Sequence, residues 1–135
     1  MQVQPYLFFE GRCDEALDFY RKTLGAEVVT LLRFRESPQP GMVTPGTEDR
    51  VMHAVLRVGD ATVMASDGRC AGQPRFEGFS LSITLKDETP ANKMFAALSE
   101  GGHVVMPLEK TFWSPRFGMV TDRFGVTWMI NVSPS

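Results

Sequence analysis

Cysteine and histidine are scarce in this chain of 135 residues, which carries two of each. Cys13 and Cys70 stand far from any CxxC spacing, so a paired-thiol metal clamp or dithiol redox motif is excluded. Two reduced thiols in a cytoplasmic protein are the expectation. An excess of basic charge is also missing. Fourteen Lys and Arg against sixteen Asp and Glu leave a net charge of −2, which offers no field for nucleic acid and no polybasic patch for a membrane. There is no apolar run of the roughly 18 residues that a membrane helix needs. Met1-Gln2-Val3-Gln4-Pro5 lacks the charged and long apolar regions of a secretory signal. Phosphate-loop and serine-hydrolase patterns are absent, and so is the glycine-rich turn followed by an acidic residue that a Rossmann-type S-adenosylmethionine site would use.

What is present is a repeat. Shifted by 76 positions, Phe19 falls on Phe95, Gly25 on Gly101, Val28 on Val104 and Val29 on Val105. FYRKTLGAEVV meets FAALSEGGHVV without a gap, and Ala61-Thr62-Val63-Met64 corresponds to Val126-Thr127-Trp128-Met129. The period is too long for a solenoid unit. It describes a duplicated half-domain, about 1–67 and 78–135, within a single domain of 1–135 whose 43% hydrophobic content suffices for one core.

Each half predicts β-α-β-β-β. Tyr6 to Phe9 is a strand stopped at Gly11. Cys13, Ala16, Leu17, Tyr20 and Leu24 make a helical stripe, with Asp14 and Glu15 in the first turn and Gly25 as a left-handed cap. Strands follow over 26–35, 51–58 and 61–66, with a Gly59-Asp60 turn. Residues 36–50, rich in Pro and Gly, are a long mobile loop. The second half has strands over 79–85, 103–106, 118–121 and 126–132. Thr89 caps its helix, with Pro90 at the first position. Ala91, Met94, Phe95 and Leu98 form its stripe, and Asp122-Arg123-Phe124-Gly125 is its hairpin turn. The expected fold is α+β: a curved mixed eight-stranded sheet with helices on the convex face and a cavity on the concave one.

These segments resemble a known family. PYLFFEGRCDEALDFYRKTLGAE, HAVLRVGDATVMASD, FSLSITL and TFWSPRFGMVTDRFGVTWMINV are similar to the vicinal oxygen chelate superfamily of glyoxalase I, extradiol dioxygenases, and fosfomycin-resistance and bleomycin-binding proteins. They are closest to its PhnB-like branch, whose members also carry a 3-demethylubiquinone methyltransferase-like label. The resemblance implies a homodimer. In metal-dependent members, His, Gln or Glu from the first and last strands of each half hold a divalent cation. The resemblance puts those positions on Pro5, Met64, Met129 and a residue near Leu81 or Ser82. None suits a hard or borderline cation, and thioethers are more often packing. No metal or cofactor is therefore expected.

The alternation of strand 51–58 points Met52, Ala54, Leu56 and Val58 at the helix, leaving His53 with Val55 and Arg57 on the concave side. His53 there is a general acid or base, a hydrogen-bonding ligand contact, or a structural histidine. His103 reads as solvated. In the fifth strand, burial places Ser80, Ser82 and Thr84 on the cavity side, although the ungapped repeat would place Leu81 there. Phe112 and Trp113 cap a pocket mouth or bury at a subunit interface. Trp128 reads as core, and Arg116 as exposed or paired with an anion.

Two functions stay open. One is a metal-free small-molecule binding protein with His53, Met64, Ser82, Phe112, Trp113 and Met129 at the ligand. The other is a lyase, isomerase or dioxygenase-type enzyme with a metal held by His53 outside the superfamily pattern.

Overall fold

The computed structural model describes residues 1–37, 45–68 and 73–134. Most of the Pro- and Gly-rich part of the 36–50 loop, and Cys70, lie outside the described residues. The chain divides into two compact units, Met1–Pro74 and Arg75–Ser135.

In the first unit β1 (Tyr6–Phe8) leads to α1 (Cys13–Leu24), then β2 (Glu27–Arg33), a 3-10 turn at Phe34–Glu36, β3 (Val51–Val58) and β4 (Ala61–Ser66). The sheet order is β1-β4-β3-β2, with β1 parallel to β4 and the other pairs antiparallel. One sheet face, with Leu7, Ala54, Leu56, Val63 and Ala65, is buried together with Cys13, Ala16, Leu17 and Tyr20 of α1. Leu24 is only half-buried, and Phe19 is buried in its place. Gly25 ends α1 at φ 66°, ψ 27°, and its N–H donates to the Tyr20 carbonyl.

The start of α1 is held from a distance. The buried Asp67, directly after β4, accepts from the backbone N–H of Gly11 and Cys13 through Oδ1, at 2.8 Å each. Its Oδ2 accepts from Val51 N–H at 2.8 Å. One carboxylate thus satisfies donors at the helix start and at the head of β3, a role usually filled by the residue before the helix.

The second unit repeats the plan: β5 (Leu81–Leu85), α2 (Glu88–Ser99), β6 (His103–Glu109), β7 (Arg116–Thr121) and β8 (Thr127–Val132), in the order β5-β8-β7-β6. Ala91, Phe95 and Leu98 of α2 are buried with Val120, Trp128, Ile130 and Val132. At Gly118 the sheet lies close under α2. A Cβ there would lie 2.8 Å from the Phe95 ring and 2.9 Å from Leu108 Cα. The Asp122–Gly125 turn is closed by Gly125 N–H to the Asp122 carbonyl at 3.0 Å.

The α+β fold of paired β-α-β-β-β modules is as expected, and the structure corrects its details. The strand after α1 stops at Arg33, because the chain tightens into the 3-10 turn. β5 begins at Leu81, and Phe79 is exposed before it. Asp87, not Thr89, precedes α2; Pro90 therefore sits at the third helical position, where its missing N–H still costs no intrahelical bond. A further long connection, 67–80, joins β4 to β5. Among the described residues no helix is long and apolar enough to cross a membrane.

Candidate functional site

Strand register decides which side chains share the face of each sheet opposite its helix. In the first unit Tyr6 pairs with Met64, and Met64 with Val55. Tyr6, Phe8, His53, Val55 and Met64 therefore lie on one face. His53 and Met64 are half-buried there, as their alternation predicts. Tyr6 and Phe8 stack with ring centroids 4.9 Å apart and planes at 11°. Tyr6 Oη lies 2.8 Å from His53 Nδ1. Burial, and to a smaller extent the nearby Cys13, push the Tyr6 phenol above its ordinary pKa, partly offset by a hydrogen bond with Ser66. Tyr6 read as a plain strand apolar in the sequence; its partner is 47 residues away, and only the β1-β4-β3 order brings them together.

In the second unit Ser82 pairs with Met129, and Met129 with Met119. Ser82 and Thr84 are exposed while Leu81, Ile83 and Leu85 are half-buried, so burial fixed the register of β5. The equivalences follow. Tyr6 corresponds to Ser82, Val55 to Met119, Met64 to Met129, and His53 to Phe117. The tyrosine–histidine pair therefore has no counterpart in the second module. Beside Phe117 lies Asn131, its register partner. The Asn131 Oδ1 is buried with no hydrogen-bond partner among the described residues.

Phe112 and Trp113 lie beyond β6 and meet edge to face at 4.7 Å. Trp113 also meets Phe117 at 5.3 Å. With Glu88, Lys110, Thr111, Ser114, Pro115 and Pro134 they line an open cleft of about 470 Å³. Phe112 is 97% exposed. The turn below is anchored by the buried Ser114, whose Oγ lies 2.6 Å from the carbonyls of both Arg116 and Val132. Arg116 turns back to the Leu108 carbonyl at 3.4 Å. His103 is exposed, and Trp128 is core, its indole N–H bound to Asp122.

The donor chemistry does not fit the superfamily metal. Among the described residues no three His, Cys, Asp or Glu side chains gather to hold an ion. His53 has its Nδ1 engaged by Tyr6. A Rossmann-type S-adenosylmethionine site fits no better. In the strand-to-helix turn after β1, the N–H groups of Gly11 and Cys13 already donate to Asp67, so they cannot cradle a ligand.

Residues 1–131 match the family model described as 3-demethylubiquinone-9 3-methyltransferase. The chain is 36% identical over 142 residues to the protein YjdN of Escherichia coli strain K12, with 98% of this chain and 95% of that protein covered. Among solved structures it is similar to the protein PA1353 from Pseudomonas aeruginosa, at 42% identity and a TM-score of 0.87, covering 100% of this chain and 99% of that one. It is also similar to a putative 3-demethylubiquinone-9 3-methyltransferase, PhnB protein, from Bacillus cereus, at 27% identity and a TM-score of 0.80, with 98% and 100% covered.

Proposed function

The chain belongs to the 3-demethylubiquinone-9 3-methyltransferase family, a PhnB-like branch of the vicinal oxygen chelate superfamily, and from that premise we propose that it binds a small organic molecule through side chains alone, without a metal. The observation that carries this reading is the donor set. Where the superfamily would converge ligands on a cation, the two modules present the equivalent thioethers Met64 and Met129, paired with Tyr6 and Ser82. Such positions favour contact with apolar or polarisable groups over coordination of a hard cation.

Each unit is read by itself: the proposed contact residues are His53 and Met64 within the first, and Ser82, Phe112, Trp113 and Met129 within the second. The aromatic cleft at Phe112 and Trp113 supports the second set, because exposed aromatics beside polar backbone suit a flat or aliphatic ligand. Metal analysis of protein purified without chelator, alongside His53→Ala, tests the proposal. Stoichiometric zinc, iron, manganese or nickel that disappears in the variant overturns it. Absence of metal, together with ligands that raise the melting temperature in EDTA, supports it.

A homodimer is part of the same proposal. Val29 and Leu31 on the edge strand β2, and Val104, Val105 and Met106 on the edge strand β6, are exposed apolar residues that a second copy can cover. Sedimentation velocity decides it, a single monomer species at tens of micromolar being the contrary result. A cytoplasmic location is proposed with it, on the free buried thiol of Cys13.

A further inference from the structure

We infer that Tyr6 locks His53 into the tautomer that presents an Nε2–H donor beside the stacked Tyr6 and Phe8 rings, so that the first unit selects a flat aromatic molecule bearing a hydrogen-bond acceptor oxygen. The inference rests on the metal-free binding reading above and names the ligand class for His53.

A neutral imidazole has one N–H, and a partner that donates to one nitrogen leaves the proton on the other. Tyr6 Oη is 2.8 Å from Nδ1. Burial favours the neutral phenol, whose O–H is available to donate. With the phenol as the donor, which is the step we infer, Nδ1 is the acceptor and Nε2 carries the hydrogen. Nε2 has no hydrogen-bond partner among the described residues. This arrangement disfavours a general base at Nε2, because its lone pair is replaced by an N–H. What remains is a directed donor whose ring is held 5.6 Å from the Tyr6 ring at 45°.

The surroundings set the rest of the ligand. Tyr6 and Phe8 are 36% and 48% exposed and nearly parallel. Two exposed, stacked rings offer a flat apolar surface to a third. Met64, the register partner of Tyr6, adds a polarisable thioether to the same face. A saturated polyol would gain little from this surface, and a hydrocarbon would leave the Nε2–H unsatisfied. In the second module the equivalent positions hold Ser82 and Phe117, so this recognition belongs to the first unit alone.

The test separates tautomer from ligand. Long-range ¹H–¹⁵N spectra of the His53 ring in the wild-type protein are expected to show a protonated Nε2 and a bare Nδ1, and Tyr6→Phe is expected to mix the two tautomers. A protonated Nδ1 in the wild type, or a Tyr6→Phe spectrum identical to wild type, overturns the lock. Titration with 2-naphthoate is expected to shift the Nε2 resonance. His53→Phe is expected to weaken 2-naphthoate binding roughly tenfold, the worth of one hydrogen bond, and not to weaken binding of 2-methylnaphthalene, which offers no acceptor to the Nε2–H. Equal 2-naphthoate affinity in His53→Phe, or no binding to the wild type, overturns the ligand class. Either failure is distinct from failure of the metal-free reading, which the metal analysis decides independently.

Discussion

The indole Nε1–H of Trp128 donates to Asp122 Oδ2 at 2.9 Å, across the turn that joins β7 to β8. The other oxygen, Oδ1, accepts from the backbone N–H of Phe124 at 2.9 Å and of Val126 at 3.1 Å. Both side chains are buried, Asp122 at 2% exposure and Trp128 at 3%. One carboxylate therefore shapes the hairpin turn and satisfies the only polar atom of a core tryptophan side chain.

Asp122→Ala leaves three buried donors without this acceptor and is expected to cost about 3 kcal/mol or more in urea unfolding. Asp122→Asn turns an amide donor toward the indole N–H and is expected to cost about 1–2 kcal/mol. In a cycle with Trp128→Phe the two losses are expected to overlap, because both remove the same hydrogen bond. Strictly additive losses would show that the indole bond contributes nothing.

Gly118 offers a second check on packing. The Cβ of Gly118→Ala meets Leu108 Cα, a backbone atom that cannot swing aside, as well as the Phe95 ring. The expected cost is about 2 kcal/mol, with Gly118→Val worse still. Unfolding of Gly118→Ala combined with Phe95→Leu checks the cause. Trimming the ring is expected to recover part of the loss and leave the Leu108 share.

How much of this was legible in the sequence depends on the range of each interaction. α1 was readable because its stripe, acidic first turn and Gly25 lie within 13 consecutive residues. β3 and β4 were readable from alternation and the Gly59-Asp60 turn. Burial arithmetic alone placed Ser82 opposite Leu81 correctly. The start of α2 was misplaced because Asp87, Thr89 and Pro90 each carry a start signal, and local chemistry does not rank them. Asp67 as the remote cap of α1, and Tyr6 as the partner of His53, were invisible. Each depends on bringing segments about 50 residues apart into register. The Met64–Met129 equivalence came from the repeat, and the 76-position shift likewise sets Tyr6 on Ser82; what the repeat concealed was the divergence of His53 from Phe117.

Cys13 gives a prediction about reactivity. Its thiol is fully buried, and burial pushes its pKa well above the ordinary range, with Asp67 and Asp14 adding to the effect. The thiolate is the reactive form, so Cys13 is expected to resist iodoacetamide in the folded protein and to label once urea unfolds it. Peptide mapping after timed labelling reads this directly. Rapid modification of Cys13 under native conditions would contradict the packing of α1 against its sheet.

The ion pair between Arg33 and Asp14 gives a pH dependence with a definite sign. Both terminal guanidinium nitrogens of Arg33, Nη1 and Nη2, donate to the carboxylate, each at 2.9 Å, and Nη1 also donates to the Asp49 carbonyl at 2.6 Å. These bonds, together with the charge of Arg33, hold the Asp14 pKa below its ordinary value against a smaller opposing effect of burial. A carboxylate whose folded pKa is depressed stabilises the fold above its unfolded pKa, about 3.9, and that stabilisation disappears as pH falls through the folded value. Asp14 is more than half exposed, so solvent screening keeps the contribution at neutral pH below about 1 kcal/mol. Asp14→Asn is therefore expected to lower stability slightly at pH 7 and to converge with the wild type well below pH 4. Denaturant midpoints measured across that range test it, and a gap between the two proteins that persists undiminished at the acid end would assign the effect to packing instead of charge.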